Sequence, residues 1–170
     1  MIKVGHPVPG FTLEGYLNDE VKDYSLEDLK GKWVVLVFYP LDFTFVCPTE
    51  IKGFSNAVET FEKMNTKVFG ISIDSVHSHK AWVKELGGLK FPLLSDIKKD
   101  VARAYDVLIE EEGVALRGAF VIDPEGILKY QVVSFNDVGR SVAETIRVVQ
   151  ANQTGELCPV EWKPGEKTLS

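Results

Sequence analysis

The sequence predicts an α/β fold, a central sheet with helices on both faces, and three observations carry that prediction. The apolar run from Trp33 to Tyr39 is rich in β-branched and aromatic residues and reads as a strand buried on both faces. Behind it, Ile51, Phe54, Val58, Phe61 and Met64 recur at three- and four-residue spacing, which marks an amphipathic helix. Strands and helices then alternate along the chain, the order that covers both faces of one sheet.

The elements follow in sequence. The start is loop-like, with Gly5, Pro7, Pro9 and Gly10 ahead of a short strand at Phe11-Thr12-Leu13. Ser25-Leu26-Glu27-Asp28 has capping-box spacing and predicts a short helical turn ending at Gly31. After the Trp33–Tyr39 strand a loop runs to Cys47-Pro48; Pro48 suits the first turn of a helix, where its missing N–H is not needed. Lys67 to Ile73 is the next strand. A helix from His79 to Leu86 is stopped by Gly87-Gly88. A short strand at Phe91–Leu94 and a short helix at Lys99–Tyr105 come next. Gly118–Ile122 and Ile127–Val133 are joined by Asp123-Pro124-Glu125-Gly126, a type I turn signal that makes them an antiparallel hairpin. Asp137 is placed to cap a last helix with the stripe Val138, Val142, Ile146 and Val149. From Asn152 onward the chain is polar, with Gly155, Pro159, Pro164 and Gly165, and residues 152–170 are expected to form a mobile tail. A βαβ unit followed by a ββα unit, with parallel and antiparallel pairs in one mixed sheet, is the thioredoxin-like arrangement. It is expected to occupy residues 1–170 as a single domain.

Composition narrows the function. At 170 residues the chain is one domain, long enough to bury roughly 70% of its unfolded surface without disulfide or metal staples. Hydrophobic residues are 45% and charged residues 26%, which excludes the disordered and low-complexity classes. A net charge of −6 repels polyphosphate and anionic membrane, so no nucleic-acid or membrane partner is expected. The longest apolar run is far short of a membrane span. The first residues carry no apolar block of signal-peptide type, so a cytoplasmic location is expected. Only Cys47 and Cys158 are present. In a reducing compartment these are free, catalytic or transient thiols rather than a permanent bridge, with buried hydrophobe as the bland alternative.

The surroundings of Cys47 favour chemistry. The residue lies between a central strand and a helix N-terminus, where open α/β sheets place their sites. A helix N-terminus favours an anion, and a thiol there is pushed toward thiolate. Thr44, three residues earlier, brings a hydroxyl that can donate to sulfur or to a bound oxygen; the alternative is a loop hydroxyl bonding its own backbone.

Here the residues carry a family resemblance. Phe38-Tyr39-Pro40-Leu41-Asp42-Phe43-Thr44-Phe45-Val46-Cys47-Pro48-Thr49-Glu50 resembles the active-site segment of the two-cysteine peroxiredoxins. The match continues through Arg117-Gly118-Ala119-Phe120-Val121-Ile122-Asp123, then Val138-Gly139-Arg140, and Gly155-Glu156-Leu157-Cys158-Pro159. It covers nearly the whole chain, in the family's order, and is nearest the peroxidase subunit of bacterial alkyl hydroperoxide reductase. The resemblance implies a thiol peroxidase that uses no cofactor and no metal. Cys47 would be the peroxidatic cysteine attacking hydrogen peroxide or an organic hydroperoxide. Thr44 and Arg117 would be the donors to the reacting oxygens, and Pro40 the shield against water. Cys158 would be the resolving cysteine, forming an intersubunit disulfide in an antiparallel homodimer, with closure into a decamer of five dimers left open. A flavin-dependent disulfide reductase or a thioredoxin would be the reductant. Glu50 and Arg140 would form a polar network with Arg117.

Each assignment has a rival. Arg117 could pair with Glu110, Glu111 or Glu112, and Arg140 with Glu144 at i,i+4. His77 and His79 lack the paired spacing of a zinc site, and Trp82 is expected in the core or at a subunit contact. The sequence departs from peroxide-sensitive members of the family: Gly87-Gly88-Leu89-Lys90 stands where they have Gly-Gly-Leu-Gly, and a C-terminal Tyr-Phe helix is missing after Cys158. Resistance to conversion of Cys47 to sulfinic acid is therefore expected. The alternative function on the same fold is a redox-regulated holdase chaperone or thiol relay. A dithiol oxidoreductase would want Cys-x-x-Cys, which is absent.

Overall fold

The computed structural model describes residues 1–170 around a mixed seven-stranded sheet. Its strands are β1 (Thr12–Leu17), β2 (Glu20–Ser25), β3 (Trp33–Phe38), β4 (Thr66–Ser72), β5 (Leu93–Ser95), β8 (Arg117–Ile122) and β9 (Leu128–Ser134), arranged β2-β1-β5-β4-β3-β8-β9. A separate two-residue pair, β6 (Leu108–Ile109) and β7 (Val114–Ala115), lies outside that sheet. The helices are α1 (Cys47–Asn56), α2 (Val58–Lys63), α3 (Val76–Leu86), α4 (Asp100–Ala104) and α5 (Val142–Thr154). β3 runs parallel to β4 and antiparallel to β8. This is the thioredoxin-like fold that the element order predicted.

Strand alternation divides the core. Val35 and Val37 of β3 point to one face, into a cluster with Cys47, Ile51, Phe54 and Phe61, Trp82 of α3, and Val148 and Val149 of α5. Val34, Leu36 and Phe38 point to the other, against Ile71, Val101, Tyr105 and Phe120. Every residue from Val34 to Tyr39 is buried, as expected of an inner strand.

Several elements differ from their sequence-based bounds. Ser25 makes no side-chain cap, and the turn that follows is a short 3₁₀ segment over Leu26–Leu29. The chain at Phe11–Leu13 is the start of a full hairpin, β1–β2, whose linking residues Asn18 and Asp19 both have positive φ (50° and 61°). That is the two-residue turn favoured between twisted strands, and Asn-Asp was its legible signal. The single long helix expected after Cys47 is two, broken at Ala57, whose N–H bonds Phe54 O in a tighter turn. Gly53, Ser55 and Asn56 just before the break are weak helix formers. α3 begins three residues before His79, because Ser75 caps it by accepting from Ser78 N; Gly87, at φ 83°, ends it as expected. β4 is Thr66–Ser72 rather than 67–73. β5 begins after Pro92, which has no N–H to offer a ladder. α4 is tied by Asp96, which accepts from Val101 N and Ala102 N.

The hairpin β8–β9 forms as predicted, with Gly126 N donating to Asp123 O at 3.0 Å. The last helix does not start at Asp137. Ser141 is its cap, accepting from Glu144 N, and Val138 is exposed rather than part of the apolar stripe. The reason lies in Arg140, whose backbone N–H is committed to Glu50 Oε2. α5 runs through Thr154, two residues beyond the expected start of the tail, and Trp162 within the tail is buried.

Candidate active site

Cys47 is wholly buried at the first turn of α1, where the chain leaves the carboxyl end of β3 through Pro40–Val46. β8 lies beside β3 and runs the opposite way, so its first residue, Arg117, reaches the same end of the sheet. Arg117 Nη1 lies 3.3 Å from Cys47 Sγ and donates to Glu50 Oε1 at 2.7 Å, while Nε donates to Asn136 O at 2.9 Å. A guanidinium has only hydrogens to offer, so the sulfur is the acceptor here. Next to it, Gly118 leaves no room for a side chain, since a Cβ there would sit 2.8 Å from Val107 and 2.9 Å from Phe120.

Glu50, one turn into α1, is the hub. Its Oε2 accepts from Arg140 N (2.6 Å) and Nε (2.7 Å), and its Oε1 from Arg140 Nη2 (2.9 Å) as well as from Arg117. Arg140 Nη1 donates to Gly118 O at 2.6 Å. Burial by itself raises the Glu50 carboxyl, but the hydrogen bonds and charge of Arg140, with Arg117 behind it, hold it below its ordinary value. Two guanidiniums against one carboxylate leave one positive charge without a carboxylate partner in a buried pocket, beside Cys47 Sγ. Neither surface-pair rival is realised: Glu110 pairs with Arg103 and Glu144 with Arg147.

The loop before Cys47 is anchored by a network that sequence reasoning missed. Asp42, buried, accepts from Tyr39 Oη (2.7 Å), Ser78 Oγ (2.9 Å) and His79 Nδ1 (2.7 Å). The other ring nitrogen of His79 faces Leu94 O at 3.0 Å. Asp42 N donates to Asp74 Oδ2, which also accepts from Ser72 Oγ. Burial, and then the nearby Asp42 charge, push the Tyr39 phenol well up. Asp74 is likewise raised, chiefly by burial. Phe43, within the loop, takes a left-handed φ of 58° that bulky residues avoid; its ring packs on Trp82, which in turn lies on Tyr39. No local spacing signalled this contact, since 37 positions separate Asp42 from His79.

Thr44 takes the local option, its hydroxyl donating to Leu41 O at 3.0 Å. Pro40 is buried. Cys158 lies past α5, partly exposed, its Sγ 3.5 Å from Thr154 Oγ1 and 3.7 Å from Ala151 O. No three His, Cys, Asp or Glu side chains gather as a metal site. Trp82 is core. No helix is long and apolar enough to cross a membrane.

A thioredoxin-like sheet that presents a buried cysteine to an arginine at a helix N-terminus defines a thiol-based redox enzyme. The model of the AhpC/TSA family matches residues 4–131. Bacillus subtilis (strain 168) YkuU is 54% identical over 175 residues, covering 98% of this chain and 97% of its own. The barley (Hordeum vulgare) 2-Cys peroxiredoxin BAS1, chloroplastic, is 48% identical, covering 98% of this chain and 84% of its own. Among solved structures, reduced 2-Cys peroxiredoxin of Plasmodium vivax superposes with a TM-score of 0.93 at 38% identity, over 97% of this chain and 91% of its own. The chain belongs to the AhpC/TSA family of peroxiredoxins. It is a thiol peroxidase, acting on peroxides and returned to its reduced form by a thiol reductant.

Proposed function

We propose that Cys47 is the peroxidatic residue and that the chain works by an intersubunit Cys47–Cys158 disulfide. The observation that carries this reading is the Arg117 guanidinium on Cys47 Sγ, inside a pocket whose charge a thiolate completes. The thiolate attacks the near oxygen of hydrogen peroxide or an organic hydroperoxide. The O–O bond breaks, the far oxygen leaves as hydroxide or alkoxide and takes up a proton, and Cys47 becomes a sulfenic acid. Arg117 is the fixed donor to the oxygen on which charge grows. Thr44, with its own proton given to Leu41 O, presents lone pairs that can accept the peroxide O–H, a different role from the donor the sequence suggested. Pro40 keeps water off the sulfur, and Glu50 with Arg140 holds Arg117 in place. The thiol of a partner subunit's Cys158 then attacks the sulfenic sulfur, expels water and forms the disulfide. A dithiol reductant, a flavin-dependent disulfide reductase or a thioredoxin, restores both thiols by exchange.

Cys47 has no exposed surface, so its first helical turn must open before another sulfur can reach it. A second copy of the chain is the natural cover for β9, an edge strand that carries exposed Val133 and is followed by exposed Phe135 and Val138. Exposed Phe43 and Phe45 supply a further surface on which five dimers would close into a decamer. We read residues 1–170 as one domain whose segment beyond α5 is its resolving tail, and place the protein in the cytoplasm, where its two free cysteines cycle rather than form a standing bridge. The test is intact mass under denaturing, non-reducing conditions after one equivalent of hydrogen peroxide. A doubled mass that dithiothreitol reverses and Cys158→Ser prevents is expected; unchanged monomer with two free thiols would overturn the reading.

A further inference from the structure

The helix that holds Cys47 is weak. α1 has ten residues, CPTEIKGFSN, of which Thr49, Gly53, Ser55 and Asn56 are poor helix formers. The break at Ala57 separates its hydrogen-bond ladder from that of α2, and the two helices meet through the stacked rings of Phe54 and Phe61. A helix this short does not hold itself in water and depends on what it packs against. Its supports are Glu50 on the two arginines, Ile51 and Phe54 in the core, and Ser55 Oγ, which accepts from Lys90 N at 3.0 Å. Gly53 sits among these supports and contributes none.

Nothing in the fold requires a glycine at that position. Its φ is not in the left-handed region, and a Cβ built on it meets only Val142 Cγ2 of α5, at 3.3 Å. That is a tight contact with one side-chain methyl, not with backbone. Compare Gly118, where a Cβ would be driven to within 2.8 Å of a neighbour. What the glycine does is lower the helix–coil balance of α1, by about fivefold relative to alanine.

We propose that Gly53 sets how readily α1 releases Cys47, and so how its sulfenic acid divides between two fates. This rests on the reading of Cys47 and Cys158 given above. In the released state, Cys47–SOH and HS–Cys158 give the disulfide and water. In the folded pocket, Cys47–SOH meets a second hydrogen peroxide and gives sulfinic acid and water. An easily opened α1 favours the first fate. Gly53 is thus a positioning residue acting through the helix, touching neither substrate nor sulfur.

The experiment compares wild-type, Gly53→Ala and Gly53→Ala/Val142→Ala, the last giving the new methyl room. Stopped-flow oxidation of Cys47 by hydrogen peroxide is expected to be unchanged in all three, since the pocket is intact. Amide exchange over Ile51–Ser55 should slow about fivefold, disulfide formation should slow by the same factor, and the peroxide concentration that converts half of Cys47 to sulfinic acid should fall about fivefold. Slower exchange with an unchanged disulfide rate and sulfinic threshold overturns this proposal alone. So does unslowed exchange in the double variant. A wild-type chain that forms no Cys47–Cys158 disulfide overturns the parent reading, and this one with it.

Discussion

Cys47 and Cys158 occupy opposite ends of helices, and their surroundings are opposite in kind. Cys47 sits in the first turn of α1, with no exposed surface and a guanidinium 3.3 Å from its sulfur. Cys158 lies four residues past the end of α5, partly exposed, with Ala151 O at 3.7 Å and Thr154 Oγ1 at 3.5 Å. A helix N-terminus presents N–H groups and partial positive charge, and a C-terminus presents carbonyls and partial negative charge. The first sulfur is met by one donor, Arg117 Nη1, while the first free N–H groups of α1, those of Thr49 and Glu50, go to Val46 O. The second is met by an acceptor and by solvent, as a thiol kept reachable needs. On the proposed assignment, the two functions of one residue type go with the two ends of a helix.

Removing each sulfur in turn is the strongest test of that contrast. Cys47→Ser should lower peroxide consumption by roughly 10³-fold or more, to the buffer background. Cys158→Ser should leave the first oxidation of Cys47 unchanged and abolish only the reducible dimer. Stopped-flow traces at substoichiometric peroxide separate the two, and an equal loss in both variants would erase the distinction.

The next largest effect belongs to the charge balance around Cys47. Glu50→Gln leaves two buried guanidiniums facing each other and should cost about 3–5 kcal/mol at pH 7, read from denaturant unfolding. The acid side tests the same ion pair. Because Arg140 and Arg117 hold the Glu50 carboxyl below its ordinary 4.5, the folded state binds that proton less readily than the unfolded chain does. The stabilisation is fully present above the ordinary carboxylate value and is lost as pH falls through the lower folded value. Wild-type stability should fall in that window, and the Gln variant should lose less there. A profile of the same slope in both proteins would place the acid sensitivity elsewhere.

Arg117→Lys sharpens the comparison with the smallest change. Lysine keeps the charge but not the fork that spans Sγ, Glu50 Oε1 and Asn136 O. The rate constant for Cys47 oxidation should drop about 10²-fold, as for loss of one fixed donor, with little change at Cys158. A lysine variant as fast as wild-type would mean that charge alone activates the sulfur.

Much of this architecture was legible in local pattern. The buried strand Trp33–Phe38, the helix start at Pro48, the Gly87 stop and the Asp123–Gly126 turn all appear where spacing and turn chemistry put them. The errors cluster where a distant group overrides a local signal. Asp137 looked like a cap, but Glu50 takes the backbone N–H of Arg140 and delays α5 to Val142. The stripe from Ile51 to Met64 looked continuous, since periodicity does not see the break at Ala57. Asp42 and His79, 37 positions apart, gave no sign of meeting.

By itself the sequence determined the inner strands, most of the helices and the cysteine loop, because burial periodicity, caps and turns are read from residues a few positions apart; the edge strand β2 and the short pair β6–β7 were not legible. Only the tertiary structure decided which charges share the pocket. Arg117 and Arg140 stand 67 and 90 positions from Glu50, and each had a plausible partner nearer in sequence. The sheet order settles the matter by setting β8 against β3, which carries Arg117 to Cys47 and closes a buried ion cluster that no local spacing encodes. Solvent would have screened either alternative pair at the surface, whereas the buried pocket holds two guanidiniums and one carboxylate against Cys47.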